Sequence, residues 1–438
     1  MDTQTFNDLE IFKGTGRQSI FARMDFTLTA KGSACLKHRF LDPTFRLEAI
    51  KNTQEVISYF IRNAAAWEKQ FTRNELSYLE HYLQSNITPL IYKNKLQASY
   101  AGTWYKLRYT SDHYFLETCI RRLVAFIAKL GSIVSVASPA DTPPLPARIR
   151  SQLQSFYAKD SGDLLGKDLT RRSLKAWEFY YLDDFFRRKN RRALEELFEL
   201  FYEMDAILSM ATATQKYNLR TPTFDPEAST VHIRGLYHLF LPESERNDLR
   251  LEEGKHFIFL TGSNMSGKST YLKACGIAVY LAHIGMGIPA ESAVLPVFND
   301  IFTNIYLTDD IEKGYSYFFS EVNRIRELAE ELSQGKKIFV LIDEMFRGTN
   351  LMDALDCSRI VIEKLLLWKN STFILSSHFT EIADLFIDQP ALQFSYFQSY
   401  VEDGKPHFTY HLKNGISHER LGKLILLESR VQELLSPH

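Results

Sequence analysis

The stretch that most restricts what this chain can fold into is Thr261 to Thr270, TGSNMSGKST, with the apolar run His256-Phe257-Ile258-Phe259-Leu260 directly before it. It fits G-x-x-x-x-G-K-[ST], with Gly262, Gly267, Lys268 and Ser269 in the defining places. A buried strand that feeds a glycine-rich turn and then a helix, here from Ser269 onward, aims several backbone N–H groups and the positive end of the helix dipole at one point. Phosphates fit there. On this reading Gly262, Ser263, Asn264, Met265, Ser266, Gly267, Lys268, Ser269 and Thr270 bind a nucleoside triphosphate. Lys268 reaches the β- and γ-phosphates, and the Ser269 hydroxyl ligates Mg²⁺. A glycine-rich turn that matches by chance is the competing explanation, and the flanking strand and helix weigh against it.

Two more apolar runs complete such a site. Lys337-Ile338-Phe339-Val340-Leu341-Ile342 is short and β-branched and ends in Asp343-Glu344, the way a buried parallel strand delivers carboxylates to the edge of a sheet. Asp343 is expected to hold Mg²⁺ through water, and Glu344 to orient or deprotonate the attacking water. Thr372-Phe373-Ile374-Leu375-Ser376-Ser377 ends at His378, which is placed to meet the γ-phosphate or the lytic water. Alone, His378 would be an ordinary polar residue at a strand end; the order of the three motifs favours the functional role.

These segments carry a resemblance. The loop 261–270, then Asp309-Asp310-Ile311-Glu312-Lys313-Gly314-Tyr315-Ser316-Tyr317-Phe318-Phe319-Ser320-Glu321, then Asp343-Glu344-Met345-Phe346-Arg347-Gly348-Thr349-Asn350, then Ser376-Ser377-His378, resemble the ATPase domain of the MutS family of DNA mismatch-repair proteins. The Asn264-Met265 pair is the most telling detail. The resemblance implies an ABC-type ATPase that uses ATP with Mg²⁺ and dimerises, each composite site being completed by the partner subunit. Gly314 and Ser316 would then act in trans, with Ser316 on the γ-phosphate bound to the other chain. This chain departs from the family at Tyr317, where a small Thr is usual, and at Phe346, where a Gly is usual. Ser244-Glu245-Arg246 stands where an adenine-stacking aromatic is expected; Tyr410 or His411 are alternatives, and core packing explains either equally well.

The expected fold class is an α/β P-loop (ABC-type) ATPase domain, residues 226–438, preceded by a mainly α-helical core/lever-like domain, residues 1–225. A chain of 438 residues is long enough for two or three domains, and 45% apolar with 24% charged residues reads as globular. The net charge of −1 excludes a strongly basic protein that coats nucleic acid unaided, so any DNA contact must be a local patch. Cys35, Cys119, Cys275 and Cys357 are scattered, without metal spacing, which suggests a reducing compartment and no zinc site. Neither a signal peptide nor an apolar run of membrane-spanning length is visible, so a cytoplasmic protein without membrane contact is expected.

In chain order, Asp8 to Phe12 reads as a strand or short buried segment. Thr29 to Gly32 and Leu41-Asp42-Pro43 resemble the opening of the MutS core domain, with a helix starting after Gly32, a stop at Pro43 and a new helix from Arg46. Residues 46–135 read as amphipathic helices whose aromatics are core. Ser138 to Pro146 reads as an extended connection, and long helices resume from Leu174 to Ala213. Within them Arg187, Arg188, Lys189, Arg191 and Arg192 place five positive charges in six residues. They are candidate DNA contacts, against the alternative of a solvated face neutralised by Glu195, Glu196 and Glu199. Tyr217 to Pro222 resembles the family's exit from core to ATPase domain, and a C-terminal helix, 418–435, is expected to clasp the partner subunit.

Because the likeness opens at the core-domain pattern, no mismatch-reading wedge is expected. The three F-x-E triplets at Phe115, Phe201 and Phe319 are attributed to chance. The functional expectation is a MutS-like, dimerising ATPase that engages DNA without reading mismatches and couples ATP hydrolysis to movement of helical levers. Two alternatives stand beside it: an ATP-gated protein-interaction switch that never touches DNA, and a dimer scaffold that no longer hydrolyses ATP.

Overall fold

The apolar runs picked out above pair as neighbouring parallel strands, and this pairing sets the frame of the site. The computed structural model of the chain describes all residues except 14–18, 68, 69, 137, 139, 140, 159–161, 166, 167, 170, 171, 227–230, 242, 243, 307–316, 403, 404, 418–420, 422, 423, 425, 427–430 and 436–438. The chain divides into two compact units. One comprises Met1–Arg23, Pro43–Lys51 and Lys216–His438; the other comprises Met24–Asp42 and Asn52–Gln215. The sequence reading draws one boundary at 225, whereas the chain changes unit at Gln215/Lys216 and at three earlier points.

The helical unit is built from α1 (Ala30–Leu41), most of α2 (Leu47–Arg62), α3 (Arg73–Gln84), α4 (Lys95–Arg108), α5 (Thr110–Val134), α6 (Pro144–Tyr157), α7 (Ala176–Asp183) and α8 (Arg191–Lys216). α1 begins before Gly32, not after it, because Thr29 is its N-cap and accepts the Gly32 amide at 2.9 Å. Asp205, buried on α8, in turn accepts the Leu28 and Thr29 amides and the Thr29 hydroxyl at 2.8–2.9 Å. Gly32 is obligatory in this arrangement, since a Cβ would lie 2.2 Å from Asp205 Oδ2. The connection read as extended to Pro146 gives way to helix already at Pro144, as proline at the first helical position permits. Tyr59, Phe60 and Tyr82 are core as expected, but Tyr100, Trp104 and Tyr114 are exposed, so the aromatics of this stretch are only partly core. Between α7 and α8 the helix widens to a π segment, Asp184–Lys189.

The other unit holds two sheets. The smaller has the order β1-β5-β2-β3, made of Thr223–Phe224, Ser292–Leu295, His232–Leu236 and Asn247–Arg250. The larger has the order β10-β9-β4-β8-β7-β6: Lys405–Asn414, Leu392–Glu402, Phe257–Thr261, Thr372–Ser376, Ile338–Asp343 and Asp300–Asn304. All its pairings are parallel except β9 with β10. β4, β7 and β8 are buried along their whole length, which accounts for their unbroken apolar sequence. Helices α9 (Lys268–His283), α10 (Tyr317–Ser333), α11 (Leu351–Leu365) and α12 (Thr380–Leu385) follow β4, β6, β7 and β8. Of the two alternatives for Asp8 to Phe12, the short buried segment holds and the strand does not: Asp8, Leu9 and Ile11 are buried. A helix, Thr3–Asp8, precedes it, and Asp8 accepts the Thr303 hydroxyl and the Ile305 amide at 2.8 and 2.9 Å at the end of β6. Lys273 and Glu10 pair at 2.7 Å, and Leu9 packs where a side chain at Gly276 would stand. Among the described residues no helix is long and apolar enough to cross a membrane.

Candidate functional site

Strand order brings the three motifs together. β8 lies between β4 and β7, and Leu260, Ser376 and Asp343 stand abreast in the register. The glycine loop, Asp343-Glu344 and His378 therefore leave the same carboxyl edge side by side. This is the edge at which open parallel sheets bind ligands.

Two glycines let the loop turn back over the start of α9. Gly262 and Gly267 have φ of 143° and 105°, and a Cβ at Gly262 would sit 2.9 Å from Ser266 Oγ. Lys268 Nζ is buried and donates to the carbonyls of Gly262 and Ser263 at 2.8 and 3.1 Å. Burial pushes its pKa down, against the charges of Glu344 and Asp343. The Ser263 and Ser266 hydroxyls are closed to water and lack a hydrogen-bond partner among the described residues. Such hydroxyls, beside the N-terminus of α9, suit an anion with several acceptor oxygens.

Asp343 is buried and accepts hydrogen bonds from the hydroxyls of Ser269 and Ser376. A serine hydroxyl touching a carboxylate is a hard oxygen pair of the kind Mg²⁺ takes, so the donor set fits the ion. Glu344 is the meeting point of two cationic side chains and an imidazole: Arg347 Nε at 2.9 Å, Lys268 Nζ at 3.8 Å and His378 Nδ1 at 3.3 Å. Burial raises its pKa, but the His378 hydrogen bond and the charges of Arg347, His378 and Lys268 outweigh this and hold it below the usual glutamate range. It is thereby kept as a carboxylate. Arg347 also lies 3.7 Å from Asp343. The sequence reading gave no role to Arg347 or Ser376. The three-residue spacing from Glu344 to Arg347 was a usable signal, whereas the Ser376 contact depends on strand register.

Phe346 has φ of 60° and Glu344 has φ of 53°, both left-handed. A glycine would adopt either conformation without strain. Here a buried ring stands instead, 5.6 Å from that of Phe318.

A cavity of about 460 Å³ opens from the loop. Leu236, Tyr237, His238, Leu241 and Tyr410 line it together with Met265 of the loop. Of the two alternatives for a stacking ring, Tyr410 lies in this cavity, with its ring 3.3 Å from the Cβ position at Gly267. Asn247 fixes it, donating to the Tyr410 carbonyl at 2.9 Å and accepting the Leu412 amide at 2.7 Å. His411 points into a different cavity and faces Glu245.

Gly314 and Ser316 lie outside the described residues, as does most of 418–435; nothing is described of the Tyr317 side chain. The basic run divides. Arg187 is buried and pairs with Asp183 through two hydrogen bonds of 2.7 and 2.8 Å, its third nitrogen reaching the Ile87 carbonyl. Arg188 and Lys189 share Asp184, and Arg191 and Arg192 pair with Glu195 and Glu196. These last four remain open to solvent, with side chains 46–93% exposed. A second cationic face was not anticipated. α4 carries Lys95, Lys106 and Arg108, and no acidic residue occurs between Glu80 and Asp112. Its outer side exposes Leu96, Tyr100, Trp104 and Leu107.

Residues 258–429 match the family model described as MutS domain V. The chain is 35% identical over 193 residues to the DNA mismatch repair protein MutS of Petrotoga mobilis, a match covering 43% of this chain and 23% of that protein. It is 30% identical over 239 residues to the DNA mismatch repair protein MutS of Thermotoga maritima, covering 54% and 30%. For the protein of the same name from Listeria monocytogenes the figures are 30% over 238 residues, 52% and 27%. The chain thus spans less than a third of the length of these curated relatives.

Proposed function

Given that the chain belongs to the MutS family through its domain V, we propose that it is an ATP-hydrolysing, dimerising switch that engages DNA through its helical unit. The observation that carries this reading is the convergence of Lys268, Ser269, Asp343, Glu344 and His378 at one sheet edge beside a nucleotide-sized cavity. In the proposed reaction the adenine lies against Tyr410, and the loop amides with Lys268 hold the phosphates. Ser269 and Asp343 hold Mg²⁺, which when bound neutralises phosphate charge. Glu344, kept ionised, directs water at the γ-phosphate, and His378 senses whether that phosphate is there. A second copy closes the site, Ser316 acting across the interface, and hydrolysis releases that interface and moves the levers.

The DNA-engaging part rests on the open cations Arg188, Lys189, Arg191 and Arg192 and on α4, where Lys95, Lys106 and Arg108 bracket the exposed rings of Tyr100 and Trp104. No mismatch-reading step is assigned to these residues. The second reading, a protein-interaction switch, draws on Leu96 and Leu107 of α4, which are 86% and 77% exposed and have nothing to offer a phosphate backbone.

ATP turnover with and without duplex, branched and single-stranded DNA tests the two, with Lys268→Ala as the blank. Turnover changed by one DNA form, and restored by charge reversal at Arg188, Arg191 and Arg192 or at Lys106 and Arg108, supports the first. Lys268-dependent turnover indifferent to every form moves the assignment to the second.

A further inference from the structure

The turn after β7 is the most strained part of the site, and it is held from outside. Glu344 and Phe346 are both left-handed, a conformation that costs a non-glycine residue roughly 1–2 kcal/mol and persists only where the surroundings impose it. The restraint comes from α10. Glu321, 2% exposed on that helix, accepts the Phe346 amide through Oε1 at 3.0 Å. The amides of Arg347 and Gly348 also face this carboxylate. One turn earlier on α10, Phe318 covers the Phe346 ring at 5.6 Å. From the turn thus pinned, the Arg347 guanidinium reaches back to Glu344 at 2.9 Å and to Asp343 at 3.7 Å.

We propose that Glu321 is a positioning residue for the catalytic base: its carboxylate fixes the backbone of the β7 turn, and through Arg347 it sets where Glu344 points. Glu321 does not line the cavity, and its hydrogen bond goes to the turn, so its influence on hydrolysis is indirect. The arrangement makes the position of the base depend on the position of α10. Burial holds the Glu321 carboxyl above the usual glutamate range, although the three backbone amides and Arg347 pull the other way, and its Oε2 is closed to water without a hydrogen-bond partner among the described residues.

The inference rests on the ATPase reading above, and its test separates the two. Hydrogen exchange is measured on Glu321→Ala and Glu321→Gln without nucleotide, together with binding of a fluorescent ATP analogue and single-turnover ATP hydrolysis. The expected result for Glu321→Ala is faster exchange in the peptide spanning 344–350 but not in the 262–270 loop. Analogue affinity should stay within about threefold of wild type while hydrolysis falls by at least about tenfold, the scale on which a misplaced catalytic group loses rate. Glu321→Gln keeps one oxygen for the Phe346 amide and should lie between; it also serves if the alanine variant does not fold. Unchanged exchange in 344–350, or hydrolysis equal to wild type, overturns the proposal. So does a parallel loss of binding and hydrolysis in which glutamine is no better than alanine. Wild-type hydrolysis that does not depend on Lys268 contradicts the ATPase reading instead, and the exchange result then decides by itself whether Glu321 holds the turn.

Discussion

Replacing Phe346 with glycine sets two effects against each other, and the structure says which prevails. Glycine removes the left-handed strain at φ 60°, a gain of roughly 1–2 kcal/mol. It also deletes a ring that is 3% exposed and packs with Phe318, Met345 and the strands of the core under β7. Truncating a buried phenylalanine costs about 3–5 kcal/mol. A glycine also gives the unfolded chain more freedom, worth about 0.5–1 kcal/mol. Burial wins, and Phe346→Gly should lose about 2–4 kcal/mol. Phe346→Ala keeps the strain and makes nearly the same cavity, so it should be less stable than Phe346→Gly by about 1 kcal/mol. Urea unfolding followed through Trp368, which packs against this same cluster, reads the change, with Trp67, Trp104 and Trp177 replaced by Phe. A Phe346→Gly protein as stable as wild type, or an alanine variant more stable than the glycine one, would refute the assignment of a buried ring in a left-handed turn.

Four further outcomes follow from the same structure. Gly32→Ala, which helix propensity alone would make stabilising by up to about 1 kcal/mol, should destabilise the helical unit by about 3 kcal/mol, because the new Cβ displaces the Asp205 carboxylate from its buried hydrogen bonds. Denaturation midpoints decide the sign. Arg187→Ala should cost about 3–5 kcal/mol by stranding buried Asp183, whereas Arg192→Ala should change stability by less than about 0.5 kcal/mol. Charge-reversal tests of DNA contact are therefore informative only at the exposed members of the run. His283 is fully buried and neutral, its ring bonded to the Val279 carbonyl and the Phe298 amide, and its pKa is pushed down to about 4. A folded pKa below the unfolded one means that its stabilisation is complete above about pH 6.5 and is lost as pH falls towards 4. That amounts to roughly 2 kcal/mol between pH 6.5 and 5, and urea midpoints of His283→Gln should show a shallower pH dependence than wild type over that interval.

The site was legible in the sequence to the extent that it is local. The loop, the two carboxylates and His378 each sit at the end of a short apolar run, and a strand buried on both faces leaves that mark whatever the rest of the fold does. What depends on spatial neighbours left no such mark. Ser376 reaches Asp343 only because β8 is adjacent to β7, and Tyr410 reaches the loop only because Asn247 holds a left-handed residue in β10. In the basic run the sequence overstates the free charge. Five charges in six residues invite a binding role, but a four-residue helical spacing puts Asp183, Asp184, Glu195 and Glu196 on the same faces, and Arg187 turns inward. The docking of residues 1–12 beside β6 and α9 also escaped the sequence, since Asp8 is surrounded by partners almost three hundred positions away.

The most direct test of the account is the fate of bound ATP in wild type and Glu344→Gln, followed with nucleotide labelled on the γ-phosphate and recovered with the protein after rapid filtration. The account predicts that wild type converts its nucleotide to ADP and releases it. Glu344→Gln should retain intact ATP in a dimer, because the loop and Lys268 still hold the phosphates while nothing directs the water. Equal conversion by the two proteins, or a Glu344→Gln protein that retains no ATP and stays monomeric, would contradict it.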